Sequence, residues 1–352
     1  MGGGYRYLLL STAFCVLAAA AGASHGAAAP PPGAGAVAVE AWPGQDTVVT
    51  GDKRKQLEEN LSGLFYEPAH DGAPTVLWAI VNGPSTADRL IFQDNVWTFD
   101  TANNWGKGKA LRYRDNTGDP DAEDLTRAEL DTPFFYVATE KNNDSGSVSR
   151  LSVLRFDSSA PGTTLTATHE WNLTPDLPKV DPNLGLEAIT WIPDSYLVSK
   201  GFLDESHGVA YNPAQYPNHG TGLFVVGLEA NGTLYAYALN HADGTFHKIA
   251  TVPSGQPHVM GLDFDRDTGA LWSACDDTCD GNQSVLGLVG GKFVVRRLFA
   301  VPKDLQDLNN EGITLAPERE CAGGLKKIFW SDDSRSKGHA LRIGSIPCGS
   351  LF

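Results

Sequence analysis

One short pattern of residues recurs five times along the chain. Each copy opens with a short apolar segment that contains glycine or an acidic residue, continues into a hydrophobic strand that ends in Asp, Glu or Asn, and closes with a third short strand. The five copies begin at Asn60, Asp121, Asn183, Val259 and Asn309. A repeat of roughly 40 to 50 residues built from short strands is typical of a β-propeller, because no single repeat can bury its apolar face alone. The sequence therefore predicts an all-β propeller with five visible repeats.

The last copy lacks a fourth strand. It consists of Asn309–Pro317, Ile328–Asp333 and Ala340–Ile343, and no further strand pattern follows. Propellers close their ring by pairing one terminus with the other, which removes the exposed sheet edges that favour aggregation. We expect Ala36–Trp42 or Asp46–Thr50 to supply the missing strand.

The N-terminus has the pattern of a secretory signal. One basic residue, Arg6, precedes an apolar run, and small residues suited to cleavage follow it. The sequence thus predicts a signal peptide over residues 1–26, an Ala/Pro/Gly linker over 27–38 and a propeller domain over 39–352. A retained N-terminal anchor is the alternative. Since no other apolar run approaches ~20 residues, we expect a secreted, soluble protein.

The chain is acidic, with a formal net charge of −15. This charge excludes non-specific electrostatic binding to nucleic acid or to an anionic membrane, and it favours cations. We expect the partner to be a small molecule or an extracellular ligand at the mouth of the central channel. The oligomeric state does not follow from the sequence.

Four cysteines remain after the signal: Cys275, Cys279, Cys321 and Cys348. An even number of cysteines in a secreted chain predicts disulfides. A bond between Cys275 and Cys279 would close a small loop after a strand, and one between Cys321 and Cys348 would tie the last repeat to the C-terminus. A zinc site at the Cys-x3-Cys pair is the rival interpretation.

Five Asn-x-Ser/Thr sequons are present, and such sequons are N-glycosylation acceptors in secreted proteins. Asn60 begins a repeat strand, where we expect it to be too buried for modification. The predicted glycosylation sites are Asn143, Asn172, Asn231 and Asn282.

Acidic residues recur at the starts of the repeats. Three copies carry Glu123, Glu187 and Glu311, and a fourth carries Asp263. Because innermost strands line the channel of a propeller, we expect these carboxylates to converge near one mouth. Like charges held close together are unfavourable unless a cation binds, and hard oxygen ligands favour Ca²⁺ or Mg²⁺. Acids also follow the second strands, and for these the alternative is that each only accepts backbone N–H groups in the following turn. They are Glu140, Glu229, Asp276, Asp277, Asp332 and Asp333.

Three of these repeat starts also resemble a known family. Asp121–Leu125, Asn183–Ile189 and Asn309–Ile313 are similar to the (D/N)-x-E-G-(I/L)-(A/T) segments of secreted phytase-like propellers. These are related to the SdiA-regulated propellers, and the family is described as having esterase-like activity. The resemblance covers roughly residues 55–346. It implies a ring of six blades, and a Ca²⁺-dependent hydrolase of phosphate or other esters.

A phosphoesterase of that type needs basic side chains to hold the phosphates. The candidates for substrate binding are Lys141, Arg150 and Lys200, together with His258 just before an innermost strand. The irregular stretch Ile192–Thr221 is predicted to be a long loop or lid. No Gly-x-Ser-x-Gly motif appears, so no catalytic residue is assigned. A non-catalytic extracellular propeller and a Ca²⁺-dependent lactonase-like enzyme are the alternatives.

Overall fold

The computed structural model describes residues 37–352 together with Met1. The predicted signal peptide and the predicted linker, residues 1–26 and 27–38, therefore lie almost entirely outside the described residues. No helix of the described part of the chain is long and apolar enough to cross a membrane.

Five sheets, each with four antiparallel strands, form the blades of a β-propeller. Each innermost strand contacts the innermost strands of two other blades, and the strand of blade 5 contacts that of blade 1, which closes the ring. The innermost strands are Leu61–Glu67, Pro120–Thr126, Leu186–Pro193, Gly261–Asp265 and Asn310–Leu315. The five predicted repeats are thus confirmed as five blades. The family resemblance implied a sixth blade, and for residues 37–352 this prediction is wrong, because the innermost strand of blade 5 already contacts that of blade 1.

The outer strands follow the same antiparallel order in every blade. The second strands are Val76–Val81, Phe134–Asn142, Gly222–Leu228, Ala270–Ala274 and Leu325–Asp332. The third strands are Thr86–Gln93, Ser149–Asp157, Thr233–Leu239, Gln283–Val289 and Leu341–Pro347. The fourth strands are Lys109–Arg112, His169–Asn172, Phe246–Pro253, Lys292–Phe299 and Val49–Thr50.

Several short elements complete the blades. Blade 1 gains Val96–Phe99 and Thr164–Thr166, and blade 4 gains Val39–Glu40 at its outer edge. The single α-helix of the described residues is Asp194–Ser199, and Leu203–Asp204 pairs with Val209–Ala210 in a small hairpin. The 3-10 helices are Ala102–Asn104, Asn143–Ser145, Pro213–Gln215, Glu229–Asn231, Asp277–Cys279, Lys303–Leu305, Glu318–Glu320 and Ser336–Gly338.

The ring is closed by the N-terminal part of the chain. Val49 and Thr50 pair antiparallel with Ile343 and Arg342 in the last strand of blade 5. This pairing confirms the segment Asp46–Thr50 as the closing strand. The other predicted segment instead places Val39–Glu40 parallel to the fourth strand of blade 4.

Aromatic side chains fill the spaces between the blades. Trp78 of blade 1 stacks on Phe135 of blade 2 with ring centroids 5.7 Å apart. Trp42 from the N-terminal segment lies 6.2 Å from Trp272 of blade 4 and 5.5 Å from Trp330 of blade 5. Aromatic pairs of this kind contribute about 0.5–1.5 kcal/mol each beyond their buried area, so they hold neighbouring blades together.

Both predicted disulfides are present. Cys275 is bonded to Cys279, and Cys321 is bonded to Cys348. Because the four sulfur atoms are bonded in pairs, none is a thiolate able to bind zinc. The bond between Cys275 and Cys279 therefore supports the disulfide interpretation over the rival zinc site.

The irregular stretch after blade 3's first strand is packed rather than open. Leu197, Phe202 and Tyr211 are buried in a core cluster that they share with strands of blades 3 and 4. The stretch joins the end of an innermost strand to the start of a second strand. It therefore lies at the opposite end of blade 3 from Glu187, and it does not form a lid over the predicted acidic mouth.

Candidate functional site

A β-bulge interrupts four of the five innermost strands near their first residues. Pairing with the second strand shifts between residues 61 and 64, 122 and 124, 186 and 188, and 310 and 313. A bulge leaves its extra residue outside the ladder and changes the direction of its side chain. Glu123, Glu187 and Glu311 lie within three of these bulges, and Ser62 lies in the fourth. The fold therefore places the three predicted glutamates at one height around the channel.

These bulges open onto a cavity of about 410 Å³ at one mouth of the channel. Seven of its lining residues carry carboxylates, whereas Lys141 is the one basic lining residue of the described chain. Further acids come from the ends of the second strands, which reach the same mouth. The carboxylates are Asp121, Glu123, Glu140, Glu187, Glu229, Asp276 and Glu311.

Two groups of three carboxylates could each hold one metal ion. In the first group, Asp121, Glu123 and Glu140 each place an oxygen within 4.8 Å of the others. In the second group, Glu140, Glu187 and Glu229 do the same. Glu140 therefore belongs to both groups and lies between them.

Several donors orient the first group. Ser62 Oγ donates a hydrogen bond of 3.0 Å to Glu123 Oε2, and Asn82 Nδ2 donates one of 3.2 Å to the same oxygen. Lys141 forms an ion pair with Asp121, and its Nζ lies 3.5 Å from an oxygen of Glu140. The first group is therefore partly neutralised by the protein itself.

Glu187 is different, because it has no such support. Its side chain is buried, with the residue 6% exposed, and it lines the cavity. Among residues 37–352, no backbone N–H, amide or basic side chain contacts its carboxylate, while Glu140 and Glu229 lie beside it. A buried, ionised carboxylate without such a donor is unfavourable, so a proton or a positively charged ligand would stabilise it.

The pKa values reflect this environment. Burial, followed by the charges of neighbouring carboxylates, raises the pKa of Glu123 and Glu187 well above the ordinary value. Burial likewise raises the pKa of Glu229 to about 8, with contributions from Glu140 and Asp276. The pKa of Glu311 also reaches about 8, through burial and then the charge of Asp333. The metal-free site therefore retains protons near neutral pH, and a divalent cation would displace them.

Asp263 does not join the other three predicted acids. It lies three residues after Met260, which lines the acidic cavity, and so it is deeper in the channel. Its Oδ2 accepts hydrogen bonds from the N–H of Leu315, at 2.7 Å, and from Thr314 Oγ1, at 3.2 Å. This placement corrects the prediction of four converging acids, because an acid later in the strand faces a different level of the channel.

Only Lys141 of the four predicted substrate-binding residues lines the cavity. His258 lies near it, with Nδ1 3.1 Å from the carbonyl oxygen of Glu229. Arg150 is engaged elsewhere, since its guanidinium pairs with Glu170 at 2.8 and 2.7 Å. Lys200 is exposed after the helix, on the opposite side of blade 3. Arg150 and Lys200 are therefore not part of this site.

Asparagine residues in the wall were not predicted as part of the site. They stand at a repeat start or follow a second strand, so their repeat position is the signal that could have identified them. The asparagines that line the cavity are Asn60, Asn82, Asn143 and Asn183. Asn60 is exposed, which corrects the expectation that it is too buried.

The predicted glycosylation sites have different surroundings. Asn172 and Asn231 are exposed. Asn143 donates its Nδ2 to the carbonyl oxygen of Asn82 at 2.9 Å, and Asn282 donates its Nδ2 to that of Cys279 at 2.9 Å. A glycan on Asn143 or Asn282 would change these contacts, and one on Asn231 would change the hydrogen bond of 3.2 Å that its Nδ2 donates to Tyr235 Oη, so the exposed Asn172 is the best candidate. Glycosylation at all four stays a prediction.

The fold and the site together define a five-bladed β-propeller with a carboxylate-lined mouth. No protein-family model matches the chain, and no curated protein matches it.

Solved structures with a similar outline include a chain of a mitotic checkpoint complex, at 12% identity and a TM-score of 0.38 over 89% of this chain and 98% of that chain. A putative oxidoreductase (glucose dehydrogenase) of Thermus thermophilus has 12% identity and a TM-score of 0.43 over 85% of this chain and 99% of that one. A chain of a nidogen/laminin complex has 11% identity and a TM-score of 0.35 over 78% and 72%. At these TM-scores none of the three bears on function.

Proposed function

We propose that this protein is a secreted, divalent-cation-dependent hydrolase of phosphate or other esters, with Ca²⁺ bound at the acidic mouth. The observation that supports it most is the buried carboxylate of Glu187, which lacks a basic or amide donor and lies beside Glu140 and Glu229. Removing a single carboxylate should therefore have a large effect on binding of the cation.

The spacing of the oxygens suits Ca²⁺. This ion takes 6–8 oxygen ligands at about 2.3–2.6 Å, so two ligands on opposite sides of it are separated by about 5 Å. The oxygens of each carboxylate group already lie within 4.8 Å of one another. Asparagine amide oxygens in the wall could supply the neutral ligands that Ca²⁺ also accepts. Mg²⁺ demands a near-ideal octahedron with shorter bonds, and the same limit on the oxygen separations also admits it.

The residues of the mouth can also receive an anionic substrate. A bound divalent cation supplies Lewis-acid polarisation of an ester oxygen and a coordinated water of lowered pKa. Lys141, held by Asp121 and beside Glu140, adds a fixed positive charge at the rim. Glu229, half-buried beside Glu140 and Glu187, would serve as a ligand of the cation rather than as a proton donor.

Calorimetric titration of chelator-treated protein with CaCl₂ tests the cation site. We expect saturable binding by the native protein and loss of that binding in Glu187→Gln, which keeps the size of the side chain and removes its charge. Asp263→Asn is the matched control, because it neutralises a buried channel acid at a different level and should leave Ca²⁺ binding intact. At a Ca²⁺ concentration of about 100 times Kd, the native protein should gain about 2.7 kcal/mol of stability.

Hydrolysis of p-nitrophenyl phosphate and p-nitrophenyl acetate, with Ca²⁺ and with chelator, tests the chemistry. The proposal expects turnover that chelator abolishes and that Glu187→Gln lacks. Ca²⁺ binding without turnover of either ester would reject the hydrolase and support a non-catalytic binding protein. Turnover of an apolar lactone in a parallel assay, without turnover of either p-nitrophenyl ester, would instead support the lactonase-like alternative. A native protein that does not respond to Ca²⁺ would overturn the proposal.

A further inference from the structure

A second cavity lies at the opposite end of the channel, where the innermost strands end. Its volume is about 210 Å³. Its walls come from the ends of the innermost strands of blades 1, 4 and 5, from the loops that follow them, and from Leu130 in the corresponding loop of blade 2. The seven carboxylates of the acidic mouth take no part in it, so its chemistry is independent of the proposed cation site.

Two arginines stand at the rim of this cavity, each held in place by contacts to other blades. Arg266 of blade 4 lies over the ring of Trp191, 4.8 Å from its centroid, and donates Nη2 to the carbonyl oxygen of Arg127. Arg319 of blade 5 donates Nη2 to the carbonyl oxygen of Ala69 at 2.9 Å. A guanidinium has five N–H donors, so both retain several for a ligand. Within residues 37–352 neither forms a salt bridge, which leaves two positioned positive charges.

The cavity also offers one available acceptor. Asp263 is buried in the wall, and its Oδ2 is already bonded to Leu315 and Thr314. Its Oδ1 has no donor in the described part of the chain. The other two acids in the wall differ from it: Asp265 pairs with Lys326 at 2.6 Å, and Asp267 accepts the N–H of Glu318 at 2.7 Å through Oδ2 and is exposed to solvent. Asp263 is therefore the buried acid with an oxygen left to accept a donor from a ligand.

The remaining wall is largely apolar. Phe65 and Phe264 contribute buried aromatic rings, and Leu315 and Pro317 complete the surface. Pockets for drug-sized ligands have volumes of about 300–1,000 Å³, so this cavity suits a smaller molecule. A ligand that satisfies all of these groups has an apolar body, a negative charge and a positively charged donor.

We propose that the second cavity binds a small zwitterion with an apolar body, with the chemistry of a free aromatic amino acid. Arg266 and Arg319 hold the carboxylate through charge-assisted hydrogen bonds. Asp263 accepts a hydrogen bond from the ammonium group. The rings of Phe65 and Phe264 pack against the aromatic side chain of the ligand.

Calorimetric titration of the full-length protein with L-phenylalanine tests this inference. Phenylpropanoate lacks the ammonium group and phenethylamine lacks the carboxylate, so we expect each to bind at least about ten-fold more weakly, since each loses a hydrogen bond to a charged group. Arg319→Gln should weaken binding of L-phenylalanine by a similar factor, and because Arg319 is exposed the variant should fold normally.

Two further variants separate this site from others. Asp263→Asn should weaken binding of L-phenylalanine and leave phenylpropanoate unchanged, because only the former offers an ammonium group to the acid. Glu187→Gln should bind L-phenylalanine as the native protein does. Absence of saturable binding by the native protein at millimolar L-phenylalanine would overturn the proposal. So would equal affinity for the two analogues and L-phenylalanine, or unchanged binding in Arg319→Gln.

Discussion

Replacing Glu311 by glutamine should reduce the dependence of stability on pH in the metal-free protein. Glu311 lines the acidic cavity, and its Oε1 receives a hydrogen bond of 3.3 Å from Asn309 Nδ2. Its Oε2 is buried without a partner among the described residues. Burial, followed by the charge of Asp333, raises the pKa of Glu311 to about 8. Glutamine resembles the protonated acid in shape and cannot ionise.

The sign and size of the effect follow from linkage. The ordinary pKa of 4.5 applies to the unfolded chain, and about 8 applies to the folded protein, so the folded state binds the proton more tightly. The stabilising contribution is therefore complete below the unfolded pKa and is lost as the pH rises through the folded pKa. One pKa unit corresponds to about 1.4 kcal/mol, so ionisation of Glu311 can lower the free energy of unfolding by at most about 5 kcal/mol.

Urea unfolding in the presence of chelator, from about pH 5 to about pH 9, measures this loss. The native protein should lose stability with rising pH, Glu311→Gln should lose several kcal/mol less, and added Ca²⁺ should suppress the loss in the native protein. Glu58→Gln is the matched control, because Glu58 is 79% exposed and should leave the native dependence unchanged. If Glu311→Gln followed the native curve across this range, the reasoning about the buried acidic mouth would be refuted.

Three further predictions concern the fold. Replacing Cys321 and Cys348 by serine should lower the free energy of unfolding by about 2–5 kcal/mol, measured by urea denaturation, because the bond restricts the unfolded chain. Arg342→Met should cost about 3–5 kcal/mol in the same assay, since it leaves the fully buried Asp332 without its ion-pair partner. A chain lacking the segment up to Val49–Thr50 should self-associate in analytical ultracentrifugation, because blade 5 then exposes an unpaired edge. A monomeric truncated chain would contradict this last expectation.

The architecture was predictable from the sequence because each blade repeats one chemical pattern. Alternation of apolar residues and the turns between them are local properties, and the lack of a fourth strand after Ala340–Ile343 pointed to closure by the N-terminal part. Blade number was also readable from the five repeat starts. The expectation of a sixth blade came from the family resemblance alone. Short shared motifs do not determine how many blades close a ring.

The acidic site was predictable only in part. Glu123, Glu187 and Glu311 share a repeat position, so their convergence followed from symmetry. The different level of Asp263 in the channel could not be predicted from the repeat. The height of each acid depends on a bulge, and the bulges depend on how the innermost strand pairs with the second strand. The ion pair of Arg150 with Glu170 likewise depends on contacts between strands that sequence spacing does not show.

Closure by the N-terminal segment has a mechanical consequence. A force that pulls on the chain ahead of residue 37 would first act on Val39–Glu40 at the edge of blade 4. It would next withdraw Trp42 from its contacts with Trp272 and Trp330, and then separate the two residue pairs that close blade 5. The disulfide between Cys321 and Cys348 keeps the last strand of blade 5, which pairs with Val49–Thr50, attached to that blade. Under load the ring would therefore open in a defined order from its N-terminal side, while the remaining blades stay intact.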